Sequence, residues 1–207
     1  YINLNRSKYR NDMINEHLSK FDIPFERFTA VDGNELNDSD KCNKFVVARH
    51  HTEMRLLKYI SNLDEGLYLI NEDDILIEEN FFEKLHILLG EIPDDWQILK
   101  IGSHTLYNAI SYEPIGEHIK GTKISDHLYK LTNGIDDGAK NLGQQCYIIR
   151  HVKNNVQSII NNLEQLTLYH IDHNYNKIMN NINIYSTKID EFIFFKQLPV
   201  PTTIHLY

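Results

Sequence analysis

The amino-acid sequence predicts a single α/β domain, with a mostly parallel central sheet and helices on both of its faces. Three observations predict it. Short apolar segments alternate with segments of helical periodicity through the first half of the chain, the pattern of a sheet wound with crossover helices. The length of 207 residues suits one such domain with a sizeable core and is short for two. An apolar content of 42% with 11% aromatic residues belongs to a globular chain, not a disordered one. No repeat or linker divides the sequence, so residues 1–207 are read as one unit.

Tyr1-Ile2-Asn3-Leu4 reads as the opening strand. Asn5 and Ser7 are helix-capping types, and the spacing of Tyr9, Met13, Ile14, His17, Leu18 and Phe21 predicts a helix that Asp22-Ile23-Pro24 stops. Residues 25–30 read as a second strand, followed by the loop Val31-Asp32-Gly33-Asn34, and residues 35–44 as irregular. Val47, Met54, Leu57 and Ile60 mark a helix over residues 45–61. The apolar run Gly66-Leu67-Tyr68-Leu69-Ile70 has the look of a buried parallel strand. It leads straight into Asn71-Glu72-Asp73-Asp74, after which Ile75-Leu76-Ile77 resumes the apolar pattern. A helix over 80–89 and a strand over 96–101 follow. Residues 103–131 read as irregular strands and loops, and 133–138 as a turn-rich loop. A strand over 145–150, helices over 151–163 and 172–181, and strands over 182–185 and 192–195 complete the reading.

Charge and cysteine usage narrow the function. Lys and Arg number 21 against 29 acidic residues, a formal net charge of −8. Such a surface is a poor general binder of nucleic acid or anionic membrane. No apolar run is long enough to span a membrane. Cys42 and Cys146 are far apart and lack metal-finger spacing, so two inert thiols in a reducing, cytoplasmic setting are expected. The chain opens at Tyr1, with no initiator methionine and inside an expected strand, as a piece excised from a longer protein would.

The acids Glu72, Asp73 and Asp74 carry the functional expectation. Three adjacent carboxylates repel one another unless a cation or hydrogen-bond donors sit beside them. Mg²⁺ or Mn²⁺ would relieve that repulsion, and such ions typically take one or two carboxylates together with substrate phosphates. In an extended segment Glu72 and Asp74 point one way and Asp73 the other. The bland alternative is a solvated acidic turn. The apolar strand in front of the acids favours a site, because ligands of α/β sheets bind at the carboxyl ends of strands. Asn5 and Asp32 fall at other expected strand ends and can converge on the same cleft.

Several blocks resemble glycosyltransferase family 25, whose bacterial members build lipopolysaccharide or lipooligosaccharide and whose animal relatives galactosylate collagen hydroxylysine. The blocks are Tyr1-Ile2-Asn3-Leu4-Asn5-Arg6-Ser7 with Arg10, the stretch from Phe25 to Gly33, Leu69-Ile70-Asn71-Glu72-Asp73-Asp74, the stretch from Trp96 to Gly102, Gln145-Cys146-Tyr147-Ile148-Ile149, and Ile171-Asp172. Their order and spacing span nearly the whole chain. Where the family carries a Ser-His pair on the helix before the acidic strand, this sequence has His50-His51.

The resemblance implies a GT-A-like (Rossmann-like) fold and an inverting, metal-dependent hexosyltransferase. It would move galactose or glucose from a UDP-sugar to a hydroxyl of a glycan or of a hydroxylysine-type protein acceptor. By that analogy Asn3, Leu4, Asn5, Val31 and Asp32 border the nucleoside and Arg10 aids the diphosphate, unless Arg10 is a plain surface charge. Asp74 ligates Mn²⁺ or Mg²⁺, and Glu72 or Asp73 positions ribose or sugar. Inversion also needs a general base opposite the leaving group. Asp172 is the first candidate, with a simple N-cap as its bland alternative, and Asp136 and Asp137 are reserves. His205 is a further candidate metal ligand, or else a surface histidine. The competing expectation is a non-catalytic nucleotide-sugar or carbohydrate-binding module of the same fold.

Overall fold

A computed structural model describes residues 1–37, 43–103, 121–132, 145–152, 154–166, 171–188 and 195–197. The chain opens with β1 (Ile2–Asn3), α1 (Lys8–Leu18) and β2 (Phe28–Thr29), followed by a single 3₁₀ turn at Gly33–Glu35. Next come α2 (Lys44–Ile60), β3 (Gly66–Asn71), β4 (Ile75–Ile77), α3 (Phe81–Glu91) and β5 (Ile98–Ser103). The second half supplies β6 (Gly121–Lys123), β7 (Tyr129–Leu131), β8 (Cys146–His151), α4 (Asn155–Glu164), α5 (Ile171–Ile178), β9 (Ile184–Lys188) and β10 (Phe195–Gln197).

The protein is mixed α/β, but the expectation of a mostly parallel sheet needs correction. The central sheet has six strands in the order β3-β8-β5-β9-β7-β6. Among its five pairings only β5 with β9 is parallel; the other four are antiparallel. Two strands are the cause: β8 arrives late in the chain, inserts between β3 and β5 and runs opposite to both, and β7 runs opposite to its neighbours β9 and β6. Nor is β3 the fully buried parallel strand its apolar run suggests, since Leu67 is 49% exposed. An apolar run reports burial and not direction.

Direction matters for function even so. Both β3 and β5 run antiparallel to β8, so they point the same way, and β9 is parallel to β5. On the other side, β1 is parallel to β2 and makes a parallel bridge from Ile2 to Glu72, just past the end of β3. β6 is antiparallel to β7 and β7 to β9, so β6 joins them and six strands share one direction. Asn3 at the end of β1 and the acids following β3 meet at the same edge.

Period-2 alternation sorts the strands onto two cores. On one face Ile98, Tyr147, Ile149 and Ile184 pack against Leu57, Ile60, Val156, Ile159, Leu163, Tyr175 and Ile178 of α2, α4 and α5. On the other, Leu99, Ile101, Cys146, Ile148 and Tyr185 pack with Ile14 and Leu18 of α1 and Phe81 and Leu88 of α3. Each fully buried Leu or Ile contributes roughly 1.5–3 kcal/mol. The helix faces differ from the expected ones in one telling place. In α1 the buried residues are Arg10, Ile14 and Leu18, while Tyr9 is 69% exposed. No helix among the described residues is long and apolar enough to cross a membrane. Cys146 is buried, which pushes its thiol well above the usual range; Cys42 lies outside the described residues.

Candidate functional site

The bridge between Ile2 and Glu72 sets β1 beside the acidic segment. Asn3 Nδ2 donates to Asp73 Oδ2 at 2.6 Å, and Arg10 Nη1 donates to Asp73 Oδ1 at 2.9 Å. The same guanidinium nitrogen lies 3.7 Å from Asp74 Oδ2. Both Asp73 oxygens are therefore bonded, and Arg10 is shared by two adjacent carboxylates. Arg10 is a buried cation, not a surface charge. The acidic segment is no solvated turn either, because Asp73 and Asp74 are both buried.

The third acid faces a second arginine. Arg49 Nε donates to Glu72 Oε1 at 3.3 Å, and Arg49 Nη1 donates to Glu53 Oε2 at 2.9 Å. Glu53, fully buried one turn further along α2, accepts from Tyr147 Oη at 2.7 Å and from Tyr175 Oη at 2.6 Å. It thereby ties α2 to β8 and α5. Glu72 is the most open of the three acids, its side chain 32% exposed. Burial nevertheless raises its pKa to about 7, against the pull of Arg49 and with the negative charges of Asp74, Asp172 and Asp73 adding to the rise. Asp172 thus belongs to the same electrostatic neighbourhood.

Asp172 is the second residue of α5, inside the helix, so the simple N-cap reading does not hold. Its backbone oxygen accepts from Asn176 Nδ2 at 2.7 Å. Its carboxylate oxygen Oδ1 is buried with no hydrogen-bond partner among the described residues. Lys100 sits at the other wall of the cluster, fully buried on β5 between its register partners Tyr147 and Ser186. Burial lowers its pKa to about 8, opposed by the charges of Asp172 and Glu53.

The remaining predicted residues line the neighbouring rim. Asn3 Oδ1 and Asn5 Oδ1 both accept from Arg27, through Nε and Nη2 respectively, each at 2.8 Å. The Leu4 carbonyl accepts from the Ser7 N–H at 2.9 Å, which closes the turn into α1. Val31 N–H donates to Thr52 Oγ1 on α2 at 2.9 Å. Asp32 Oδ2 accepts from Arg6 Nε at 2.6 Å, and Asp32 Oδ1 accepts from the Asn34 N–H at 2.9 Å. Partial burial pushes the Asp32 carboxyl up, but those two bonds and the Arg6 charge outweigh it and hold it below its ordinary value. Asp136, Asp137 and His205 lie outside the described residues.

Sequence reasoning missed Arg49, Glu53, Lys100, Tyr147 and Tyr175 as members of this cluster. Two signals were available. Glu53 stands four residues before Leu57 on the apolar stripe of α2, and Lys100 is the single charge inside the apolar run from Ile98 to Ile101. An acid on a core stripe and a cation inside a core strand call for partners.

Among the described residues, no group of three or more His, Cys, Asp or Glu side chains is arranged to hold a metal ion. Asp73 is a poor ligand because both its oxygens are committed. Glu72 and Asp74 fit better: a pair of carboxylates is the usual protein share of a Mg²⁺ or Mn²⁺ site completed by phosphates and water. Five carboxylates (Glu53, Glu72, Asp73, Asp74, Asp172) meet three cations here (Arg10, Arg49, Lys100), an imbalance that a divalent ion would offset.

No protein-family model matches the chain, and no curated protein matches it.

Proposed function

We propose that this protein is a metal-dependent, inverting glycosyltransferase of the GT-A type, moving a hexose from a UDP-sugar to a hydroxyl of a glycan or protein acceptor. One observation carries the reading. Asn3 and Arg10 lock Asp73 where the ends of β1 and β3 meet, and Glu72 beside it feels the charges of both Asp74 and Asp172. Six strands of common direction support the fold type, because strand ends of one polarity gather these residues on one edge.

In this reading the nucleoside lies along Asn3, Leu4, Asn5, Val31 and Asp32. Glu72 and Asp74 would hold Mn²⁺ or Mg²⁺, which supplies Lewis-acid neutralisation of the diphosphate charge. Arg10 holds Asp73 and Asp74 in place through its ion pairs. Asp172 takes the proton of the acceptor hydroxyl through its carboxylate. The acceptor oxygen then bonds to the anomeric carbon on the face opposite UDP, and the bond from that carbon to the UDP oxygen breaks.

A thermal-shift screen of UDP-, GDP- and CMP-sugars with and without Mn²⁺ tests this. Stabilisation is expected for a UDP-sugar only with the metal present, about 2.7 kcal/mol at a hundredfold excess over Kd, and it should be lost in Asp74→Ala. Absence of any UDP-sugar effect with metal present overturns the reading. Asp172→Asn should bind donor normally and fail to transfer. A wild type that binds donor and never turns it over is a binding module instead.

A further inference from the structure

Of the buried polar atoms with no hydrogen-bond partner among the described residues, two lie on side chains from separate helices that both act on Glu72, and they are of opposite kind. Arg49 Nη2 is a donor, and Asp172 Oδ1 is an acceptor. Each such group costs about 1–3 kcal/mol when left unpaired. Their helices are joined on both sides of this point. Asn174 Nδ2 lies 3.4 Å from His50 Nδ1, and Tyr175 Oη donates to Glu53 Oε1 at 2.6 Å. His50 neighbours Arg49 in sequence, Glu53 is its ion-pair partner, and Asn174 and Tyr175 lie on the first turns of α5 with Asp172. Arg49 itself reaches Glu72 through Nε.

A single ligand group that accepts from one atom and donates to the other is a hydroxyl. A carboxylate could accept from Arg49 but could not donate to Asp172, and a hydrogen phosphate, which has a proton to donate, would bring a further negative charge beside Asp172. An anion would also meet poor electrostatics, because the Arg49 charge is already shared between Glu53 and Glu72. We propose that Arg49 is a specificity-determining residue for a neutral sugar substrate: its Nη2 donates to a substrate hydroxyl oxygen while that hydroxyl donates to Asp172 Oδ1. The inference rests on the glycosyltransferase reading for the identity of the hydroxyl, which is the attacking group of the acceptor. Arg49 then fixes the direction in which that group presents its proton to Asp172.

The test is titration calorimetry of the whole chain with methyl galactoside and methyl glucoside, and with inorganic phosphate as the anionic probe. Arg49→Lys keeps a cation for Glu53 and Glu72 but lacks the second terminal nitrogen. Asp172→Asn keeps the side-chain shape and weakens the acceptor. Circular dichroism and thermal melts confirm that each variant is folded. Wild type should bind at least one glycoside and show no Arg49-dependent phosphate binding. Both variants should lose about tenfold in glycoside affinity, as loss of a hydrogen bond to a charged group does. Undiminished glycoside binding by Arg49→Lys, no glycoside binding by wild type, or phosphate binding that needs Arg49 each overturns the proposal. The two readings fail separately. Arg49-dependent glycoside binding without UDP-sugar binding sinks the transferase reading alone, and UDP-sugar binding with Arg49-independent glycoside binding sinks only the present one.

Discussion

Two arginines hold the same acidic segment, and they do it differently. Arg10 reaches Asp73 at 2.9 Å and Asp74 at 3.7 Å, with Asn3 completing Asp73 at 2.6 Å. Around Asp73 that corner is closed, with both carboxylate oxygens bonded. Arg49 reaches Glu53 at 2.9 Å and Glu72 at 3.3 Å, keeps Nη2 without a partner among the described residues, and holds an acid that is a third exposed. That corner is open on one side. The difference teaches where structure ends and recognition begins. A saturated buried carboxylate such as Asp73 only positions the backbone around it, whereas a half-used arginine beside a partly exposed carboxylate has capacity left for a ligand.

The largest expected effect comes from removing the anchor of the open corner. Glu53→Ala strips Arg49 of its fully buried partner and leaves two buried phenols without their acceptor. Breaking a buried pair in this way costs about 3–5 kcal/mol, and urea unfolding should report a loss in that range. The closed corner is expected to be slightly less sensitive. Asp73→Ala should cost about 3 kcal/mol, at the low end for a buried pair, because Asp74 remains near enough to Arg10 to share its charge. If Asp73→Ala proves the more damaging of the two, the closed corner and not Glu53 anchors the segment, and the comparison inverts.

A third effect is read as a pH dependence. Glu72 has its ordinary value of 4.5 when unfolded and about 7 when folded. The folded state therefore binds the proton more tightly. Its contribution to stability is fully present below about 4.5 and is lost as pH rises through about 7. In metal-free buffer the urea midpoint of wild type should fall over that window relative to Glu72→Gln, which carries no titrating group there. Parallel pH profiles for the two proteins would show that Glu72 is not under strain from burial and neighbouring acids.

Much of the local structure was legible. The helices predicted over 45–61 and 80–89 are found at Lys44–Ile60 and Phe81–Glu91, within two residues at every end, because apolar spacing and caps are local signals. The strand that precedes the acids was legible from its unbroken apolar run. The second strand, read over 25–30, shrinks to Phe28–Thr29, since only its end finds β1 to pair with. The face of α1 was misjudged by residue type: Tyr9 looked like core, and Arg10 was read as a diphosphate contact or else a surface charge. Arg10 is drawn inward because Asp73 and Asp74, more than sixty positions away, need a cation.

By itself the sequence determined the element types, the acidic segment at a strand end and the prospect of an α/β core, all of which follow from spacing and composition within short windows. Only the tertiary structure decided that β8 separates β3 from β5, that two arginines answer the three acids, and that Glu53, Lys100 and two tyrosines form the buried floor of the site. The physical reason is that strand direction and charge pairing are properties of contacts between distant segments. A carboxylate's chemistry depends on which cation the fold delivers to it, and no local pattern encodes that partner.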